Sequence, residues 1–375
     1  MAKLVLLVGS ITDISPARHL TKSFIDIGYE VFAVSDESNE NVSLVKKRAV
    51  DIAKVCQDFQ IKPDFMIFVE GGNMNLLPIN FESLEFPKYW WAIDTQYAYK
   101  KHLLISRLFD HSFIAQKDYV EYLRQDGIVN CSWLPLAYPD WVKTKTDDSK
   151  QFDIAYIGSS NWNLYPERGV LLKAISEKFK NNYIGQAKAS KMIEIYSNSK
   201  LVFNYSLKND INMRFFEAIG SGAVLITSRI IENGINELFI EDKDFIVFDD
   251  ESDLINKISK YLENETSLKA ISDSGKQKVR NLHTYEIRAK YLADYEYKKD
   301  NHSSQKQHSF SDYSAALVQM DFYADAIMQL LREFQSRPLS KQNRLRKLFI
   351  DPILLFLTSL LRIVEKVVDL SRLSK

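Results

Sequence analysis

Arg214 and Glu217 stand three residues apart in "NMRFFEAIGSGAVLIT" (212–227), just ahead of a small-residue turn and an apolar β-type run. On a helix the two positions share a face. Arg214 would lie in the first turn, where unpaired N–H groups and the helix dipole favour an anion. A phosphate there gains charge-assisted hydrogen bonds from the guanidinium. Glu217, one turn further in, has the chemistry to accept from ribose hydroxyls. Gly220 and Gly222 would let the chain bend into the next strand. The same spacing also describes an i,i+3 ion pair on a solvated helix with a glycine cap, and spacing alone leaves both readings open.

Asp94 is the other candidate. It ends "YWWAID" (89–94), so it falls at the carboxyl end of a predicted strand. A carboxylate there can deprotonate an acceptor hydroxyl, or it can cap the helix that starts near Thr95. His102 and His111 follow closely and are not ranked by the sequence. His19 lies on the first predicted helix, after the Gly9-Ser10 turn, and Gly9, Ser10 and His19 are the candidates for an acceptor side. Asp242 and Asp244 form a D-x-D pair in "EDKD" (241–244), which reads as a charged turn rather than a metal site. Walker A, G-x-G-x-x-G and G-x-S-x-G sequences are missing from the chain, which removes the commonest NTPase, dinucleotide and hydrolase readings.

These residues need elements to hold them. "LVLLV" (4–8) reads as a buried first strand rather than a signal peptide. A helix from Pro16 to Gly28 and a strand at 29–35 follow, then a helix over 43–59, strands at 63–72, 89–94 and 111–116, a helix near 117–125, and "CSWLPLA" (131–137). Apolar strands alternating with helices predict a parallel sheet covered on both faces. A polar linker at 140–151 interrupts the pattern, which then restarts with strands at 152–160, 181–185, 200–206, 222–227 and 244–249. Helices at 165–179, 190–199, 251–264 and 267–295 accompany them. Ligands of such sheets sit beyond the carboxyl ends of the strands.

The chain's 375 residues suit two domains and an extension. An apolar content of 46% argues against disorder. Lys+Arg and Asp+Glu both count 49, so no global basic field exists to recruit nucleic acid. Cys56 and Cys131 are the sole cysteines, too few for a disulfide framework, and point to a reducing, cytoplasmic compartment. Beyond a second polar linker at 300–310 the β signal stops. Positions from Tyr313 to Phe334 keep a heptad seam suited to a homodimer. A basic run at 337–347 then precedes an amphipathic segment at 348–370, expected to lie on the inner face of an anionic membrane. The alternative is that both tail helices pack on the protein itself or on a partner.

"FDIAYIGSSNWNLYPERGVLL", "YSNSKLVFNYS", "MRFFEAIGSGAVLIT" and "SGKQKVRNLHTYEIRAKYL" together resemble, in order and spacing, the nucleotide-sugar-binding half of the CgeB-like glycosyltransferases, of the two-domain GT-B type. The resemblance covers residues 152–292; the first half is similar only in its strand–helix rhythm and in Asp94. It implies a nucleoside-diphosphate sugar as donor, with Glu217 at the ribose and Arg214 at the diphosphate. Gly158 and Ser159 would offer backbone N–H groups to phosphate, with Arg168 close by or else on the helix surface. Lys200 would add charge or merely open a strand, and Gly222 would shape the turn. The relatives' second glutamate, eight positions before Glu217, is here Asn209, followed by Asp210. Phosphate neutralisation by Arg, Lys and helix dipoles implies neither metal nor cofactor.

The expected fold is therefore α/β, two Rossmann-like domains in a GT-B architecture (1–140 on the acceptor side, 151–299 on the donor side) with a helical tail over 311–375. The expected activity is sugar transfer to a lipid-linked or cell-envelope glycan. A sugar-nucleotide epimerase or hydrolase, and a non-catalytic scaffold working through its tail, are the rival readings.

Overall fold

The computed structural model describes residues 3–70, 74–142, 150–159 and 165–296. The predicted tail helices, the heptad seam at 313–334 and the basic amphipathic stretch at 337–370 lie outside the described residues.

The first half is a seven-stranded parallel sheet. Its strands are β1 (Leu4–Gly9), β2 (Glu30–Ser35), β3 (Leu44–Val45), β5 (Phe65–Val69), β7 (Lys88–Ala92), β8 (His111–Ile114) and β9 (Cys131–Trp133), in the order β3-β2-β1-β5-β7-β8-β9. A two-stranded ribbon pairs β4 (Arg48–Asp51) with β6 (Leu76–Ile79). Helices α1 (Pro16–Asp26), α2 (Ile52–Asp58), α3 (Thr95–Ser106) and α4 (Asp118–Gln125) complete this half. The continuous apolar runs follow from double-sided burial. In β5, Phe65, Ile67 and Val69 pack on one face, while Met66 and Phe68 pack on the other.

The second half repeats the scheme with five parallel strands. These are β10 (Phe152–Ile157), β11 (Asn182–Gly185), β12 (Ser199–Asn204), β13 (Val224–Ser228) and β14 (Ile246–Phe248), in the order β11-β10-β12-β13-β14. Its helices are α5 (Pro166–Lys178), α6 (Ala189–Ser197), α7 (Met213–Gly220), α8 (Ile235–Leu238), α9 (Glu251–Leu262) and α10 (Glu265–Leu282).

Two predicted helices are corrected. The helix expected over 43–59 is two short strands followed by α2, because the Asp51 carboxylate accepts from Lys54 N–H and starts the helix there. The helix expected over 267–295 breaks at His283. Thr284 then caps a separate α11 (Tyr285–Ala293) by accepting from Ile287 N–H. That break turns the chain back to the first half. Tyr138 N–H donates to His283 O at 2.8 Å and Tyr285 N–H donates to Tyr138 O at 3.0 Å. The buried Arg288 donates to the carbonyls of Pro135 and Leu136. One apolar cluster consequently runs through both halves, from Val5 in β1 to Leu292 in α11. The carboxyl edges of the two sheets face each other across a cleft.

Candidate active site

A cavity of about 610 Å³ lies in that cleft, lined from both halves. This is the size range of pockets that hold small organic ligands. Its walls come from the ends of strands: Ile14 and Pro16 after β1, Glu70 after β5, Ile93 and Asp94 after β7, and Gly158 and Ser159 after β10. The loop after β12 adds Leu207 and Asp210, and the start of α7 adds Asn212, Arg214 and Glu217.

Helix α7 is apolar except at the two positions that face the cavity. Asn212 caps it, accepting from Phe215 N–H. Phe215 and Phe216 are fully buried and pack on Phe239, which fixes the helix's rotation. Arg214 and Glu217 are thereby aimed at the ligand space. No ion pair joins them among the described residues, so the solvated i,i+3 pair is not what the fold builds. Arg214 instead donates to Asn204 Oδ1 (2.8 Å) and Ile157 O (2.9 Å), and its guanidinium lies over the Tyr156 ring at 4.7 Å. All of these partners are neutral, so the cation keeps its charge for an anionic ligand. Glu217 is 3% exposed, and burial pushes its carboxyl up to about 7, against a smaller downward pull from Arg214.

Arg168 is buried, not on the helix surface. It donates to Ser159 O at 3.1 Å and sits over Tyr165 at 4.4 Å and Tyr156 at 5.6 Å. A second cation thus joins Arg214 at one corner. Gly158 lines this corner, but its N–H is already given to Gly185 O at 3.0 Å, so it is not the phosphate donor expected of it. Its value is room: a Cβ there would fall 2.8 Å from the Arg214 guanidinium and 2.6 Å from the Tyr156 hydroxyl.

The opposite corner is acidic. Asp94 stands at the N-cap position of α3 yet makes no capping hydrogen bond, with φ −100° and ψ 40°. Its carboxylate is therefore left to the cavity rather than spent on the helix. Burial, then the nearby Glu70 charge, push it up to about 6. Glu70 is 1% exposed and its Oε2 accepts from Ile93 N–H (2.7 Å) and Asp94 N–H (3.1 Å). His102 Nε2 lies 3.3 Å from the same oxygen. Asp210 reaches in from the second half, accepting from the buried Gln116 at 2.7 Å. Burial and then Asp94 push Asp210 up to about 7. Its neighbour Asn209 points the other way, accepting from Ile231 N–H. The loop around it is held in left-handed backbone at Lys208 (φ 52°) and Asn209 (φ 59°).

Several sequence candidates do not line the cavity. Lys200 opens β12, at the amino edge of the sheet, where it pairs with Asp153 at 3.0 Å. Gly222 follows the far end of α7. A helix runs back past its sheet, and eight residues carry the chain about 12 Å from the cavity. There φ is +84°, and Gly222 O accepts from Lys150 and Ser272. Gly9, at the end of β1, leaves no room for a side chain: an added Cβ would meet Val69 O of β5 at 2.7 Å and Ala17 Cβ of α1 at 3.1 Å. Ser10 donates to Asp36 at 2.6 Å. His19 is 3% exposed between Trp141 and Tyr285, and burial, then Arg18, push it down to about 3. His111 contacts Ser132 and Tyr295, away from the cavity.

Glu70 and Asp210 are the site residues that sequence reasoning passed over. Glu70 carried the signal that found Asp94, a carboxylate closing an apolar strand, in "FMIFVE". Asp244 is turned inward to Lys278 and Ser274 rather than presented as a ligand, and Tyr261 donates to Asp242. Among the described residues no group of His, Cys, Asp or Glu is gathered to hold a metal, and no helix is long and apolar enough to cross a membrane.

Paired parallel sheets with the site between their carboxyl edges define a GT-B fold, and known structures agree. Anabaena HepE (Alr3699) in complex with UDP and glucose is 11% identical over 78% of this chain and 98% of its own, with a TM-score of 0.58. Sucrose-phosphate synthase from Thermosynechococcus elongatus is 13% identical over 78% of this chain and 97% of its own, with a TM-score of 0.51. T4 phage BGT, in complex with its UDP-glucose substrate, is 11% identical over 77% and 98%, with a TM-score of 0.52. At these identities the likeness is one of fold. In sequence, residues 140–294 match the model of the family described as Glycosyl transferase-like. No curated protein matches the chain.

Proposed function

We propose that this protein is a glycosyltransferase moving a sugar from a nucleoside-diphosphate sugar to an acceptor hydroxyl. One observation carries the reading: Arg214, held by neutral partners at the start of α7, faces Asp94 across a single cavity, with Glu217 beside it. The match of residues 140–294 to a glycosyltransferase-like family, and the fold shared with UDP-glucose-bound HepE and BGT, support it. The CgeB-like branch is the one its sequence segments resemble.

In this reading the diphosphate lies against Arg214 and Arg168, and Glu217 accepts from the ribose hydroxyls. The acceptor enters beside the first half. Asp94 takes the proton of the acceptor hydroxyl as that oxygen bonds to the sugar's anomeric carbon. The anomeric carbon–oxygen bond to phosphate breaks, and the diphosphate leaves with the bonding pair. Developing charge on the leaving oxygen falls where two guanidinium groups already point. The closed cleft keeps water from the donor. The acceptor we infer, a lipid-linked or cell-envelope glycan, rests on the sequence of 337–370 alone.

Calorimetric titration with a panel of nucleoside diphosphates, followed by a donor-turnover assay with and without glycan acceptors, tests the reading. Tight binding of one nucleoside diphosphate and acceptor-dependent turnover are expected. Binding of none would sink it; turnover without any acceptor would favour an epimerase or hydrolase.

A further inference from the structure

Glu70 has no part in the step just described, yet the fold buries its carboxylate almost completely. An isolated buried carboxylate is costly, so its surroundings should reveal its use. β5 and β7 are neighbours in the sheet, and Glu70 and Asp94 follow their ends. Glu70 N–H donates back to Trp91 O at 3.0 Å. Its Oε2 accepts from Ile93 N–H and Asp94 N–H, the two peptides that lead into α3. His102, one helical stretch along α3, approaches the same oxygen, and its other ring nitrogen lies 3.0 Å from Thr95 Oγ1. Trp90 closes the assembly edge-on against His102 at 4.9 Å.

The consequence is visible at Asp94. An aspartate at an N-cap position ordinarily has extended backbone and folds its carboxylate onto the helix's first N–H groups. Here the backbone is not extended and the capping hydrogen bond is missing. Glu70 holds the Asp94 peptide N–H, so the turn is fixed from behind and the carboxylate is freed in front.

We propose that Glu70 is a positioning residue: it pins the β7–α3 turn so that Asp94 faces the acceptor, and its fixed negative charge favours arrival of the proton on Asp94. The proposal rests on the glycosyl-transfer reading above. The groups facing Asp94 are Glu70 after β5, Gln96, Tyr97 and His102 on α3, and Asp210 across the cleft. Among these groups it is the Glu70 side chain that accepts from the Asp94 N–H. Burial and then Glu70 account for the rise of Asp94 to about 6.

Two variants separate charge from geometry. Glu70→Gln keeps shape and removes charge; Glu70→Asp keeps charge and withdraws it by one methylene. Carboxyl-¹³C-aspartate labelling, with Asp94→Asn to assign the signal, reads the Asp94 titration directly, and pH profiles of kcat read its catalytic consequence. In Glu70→Gln the Asp94 midpoint and the acid limb of kcat should both move to lower pH, while the nucleoside diphosphate Kd is unchanged. In Glu70→Asp the midpoint should hold, while kcat falls by roughly ten- to a hundredfold, the scale of a misplaced reacting group. An Asp94 midpoint identical in wild type and Glu70→Gln would overturn the proposal, as would an unaltered kcat in Glu70→Asp. If Glu70→Gln does not fold, the Glu70→Asp arm decides. Wild-type protein that binds no nucleoside diphosphate would defeat the functional reading, and the Asp94 titration would still report on Glu70.

Discussion

The two corners of the cavity are made by the same kind of element, the carboxyl end of an apolar parallel strand, and they carry opposite charge. At the second-half corner Arg214 and Arg168 are held by an amide oxygen, two backbone carbonyls and aromatic faces. At the first-half corner Glu70 is held by two backbone N–H groups and approached by an imidazole. Among the described residues, neither Arg214 nor Asp94, the groups left facing the cavity, is held in an ion pair. A charge tied down by neutral partners keeps its field for a ligand, whereas a charge in an ion pair has already lost it. The structural pairs elsewhere, such as Lys278 with Asp244 and Lys200 with Asp153, follow the second pattern. Charge alone therefore does not mark this site; the neutrality of the partners does.

The comparison assigns chemistry to the acidic corner and binding to the cationic one, and it breaks if either assignment fails. Asp94→Asn should produce the largest effect. Loss of a general base costs about 10²–10⁴ in turnover, and kcat should fall by that order with the nucleoside diphosphate Kd unchanged. Steady-state kinetics beside calorimetry make the check. Equal losses in both would move Asp94 from chemistry to binding.

Arg214→Ala comes next. It should weaken nucleoside diphosphate binding by about 1–3 kcal/mol, the scale of a lost charged hydrogen bond. Asn204 Oδ1 and the Ile157 carbonyl lose the guanidinium donor in this variant, so circular dichroism must show an intact fold before the Kd is interpreted. Wild-type affinity in a folded Arg214→Ala protein removes the cationic corner from the donor site.

The strand–helix alternation and the linker between sheets were legible because double-sided burial leaves uninterrupted apolar runs, as in "LVLLV" and "FMIFV". Asp94, Arg214 and Glu217 were legible because strand ends and helix starts face the cleft in such folds. What stayed hidden depends on how elements meet. Arg168 looks like any basic residue in "YPERGVLL", and only the approach of Tyr156 and Ser159 buries it. Asn209 and Asp210 are adjacent, and the left-handed backbone of their loop decides which faces the cavity. Lys200 and Gly222 were over-read because a motif gives proximity in sequence, while the site occupies one edge of the sheet only. The break at His283 was missed because its cause is a long-range pairing with Tyr138.

Glu217 offers a smaller test, in which function and stability oppose each other. Burial raises its carboxyl from 4.5 in the unfolded chain to about 7 in the folded protein. A raised acid contributes its stability below the unfolded value and loses it as pH rises through the folded one. The free protein should therefore weaken between about pH 4.5 and pH 7 at this residue. Glu217→Gln removes the ionisation and should stabilise the free protein at pH 8 by roughly 3 kcal/mol, while weakening nucleotide binding. Urea unfolding at pH 5 and pH 8 reads the first effect. An unchanged difference between the two pH values in the variant would show that the carboxylate is not isolated from water.

The smallest expected effect is the sharpest control on the neutral-partner rule. Lys200 is a cation in the same half as Arg214, on the strand that ends at Asn204, but at its opposite edge and paired with Asp153. Its side chain is 27% exposed and that of Asp153 is 28% exposed, so water screens the pair. Such pairs contribute about 0–1 kcal/mol. Lys200→Ala should change thermal stability only slightly and leave the nucleoside diphosphate Kd at the wild-type value. Ionic strength should matter little as well, because the charge removed is already balanced by its neighbour. A Kd weakened as far as in Arg214→Ala would mean that distance and pairing do not decide which cations serve the ligand. The contrast between the two corners would then lose its physical basis.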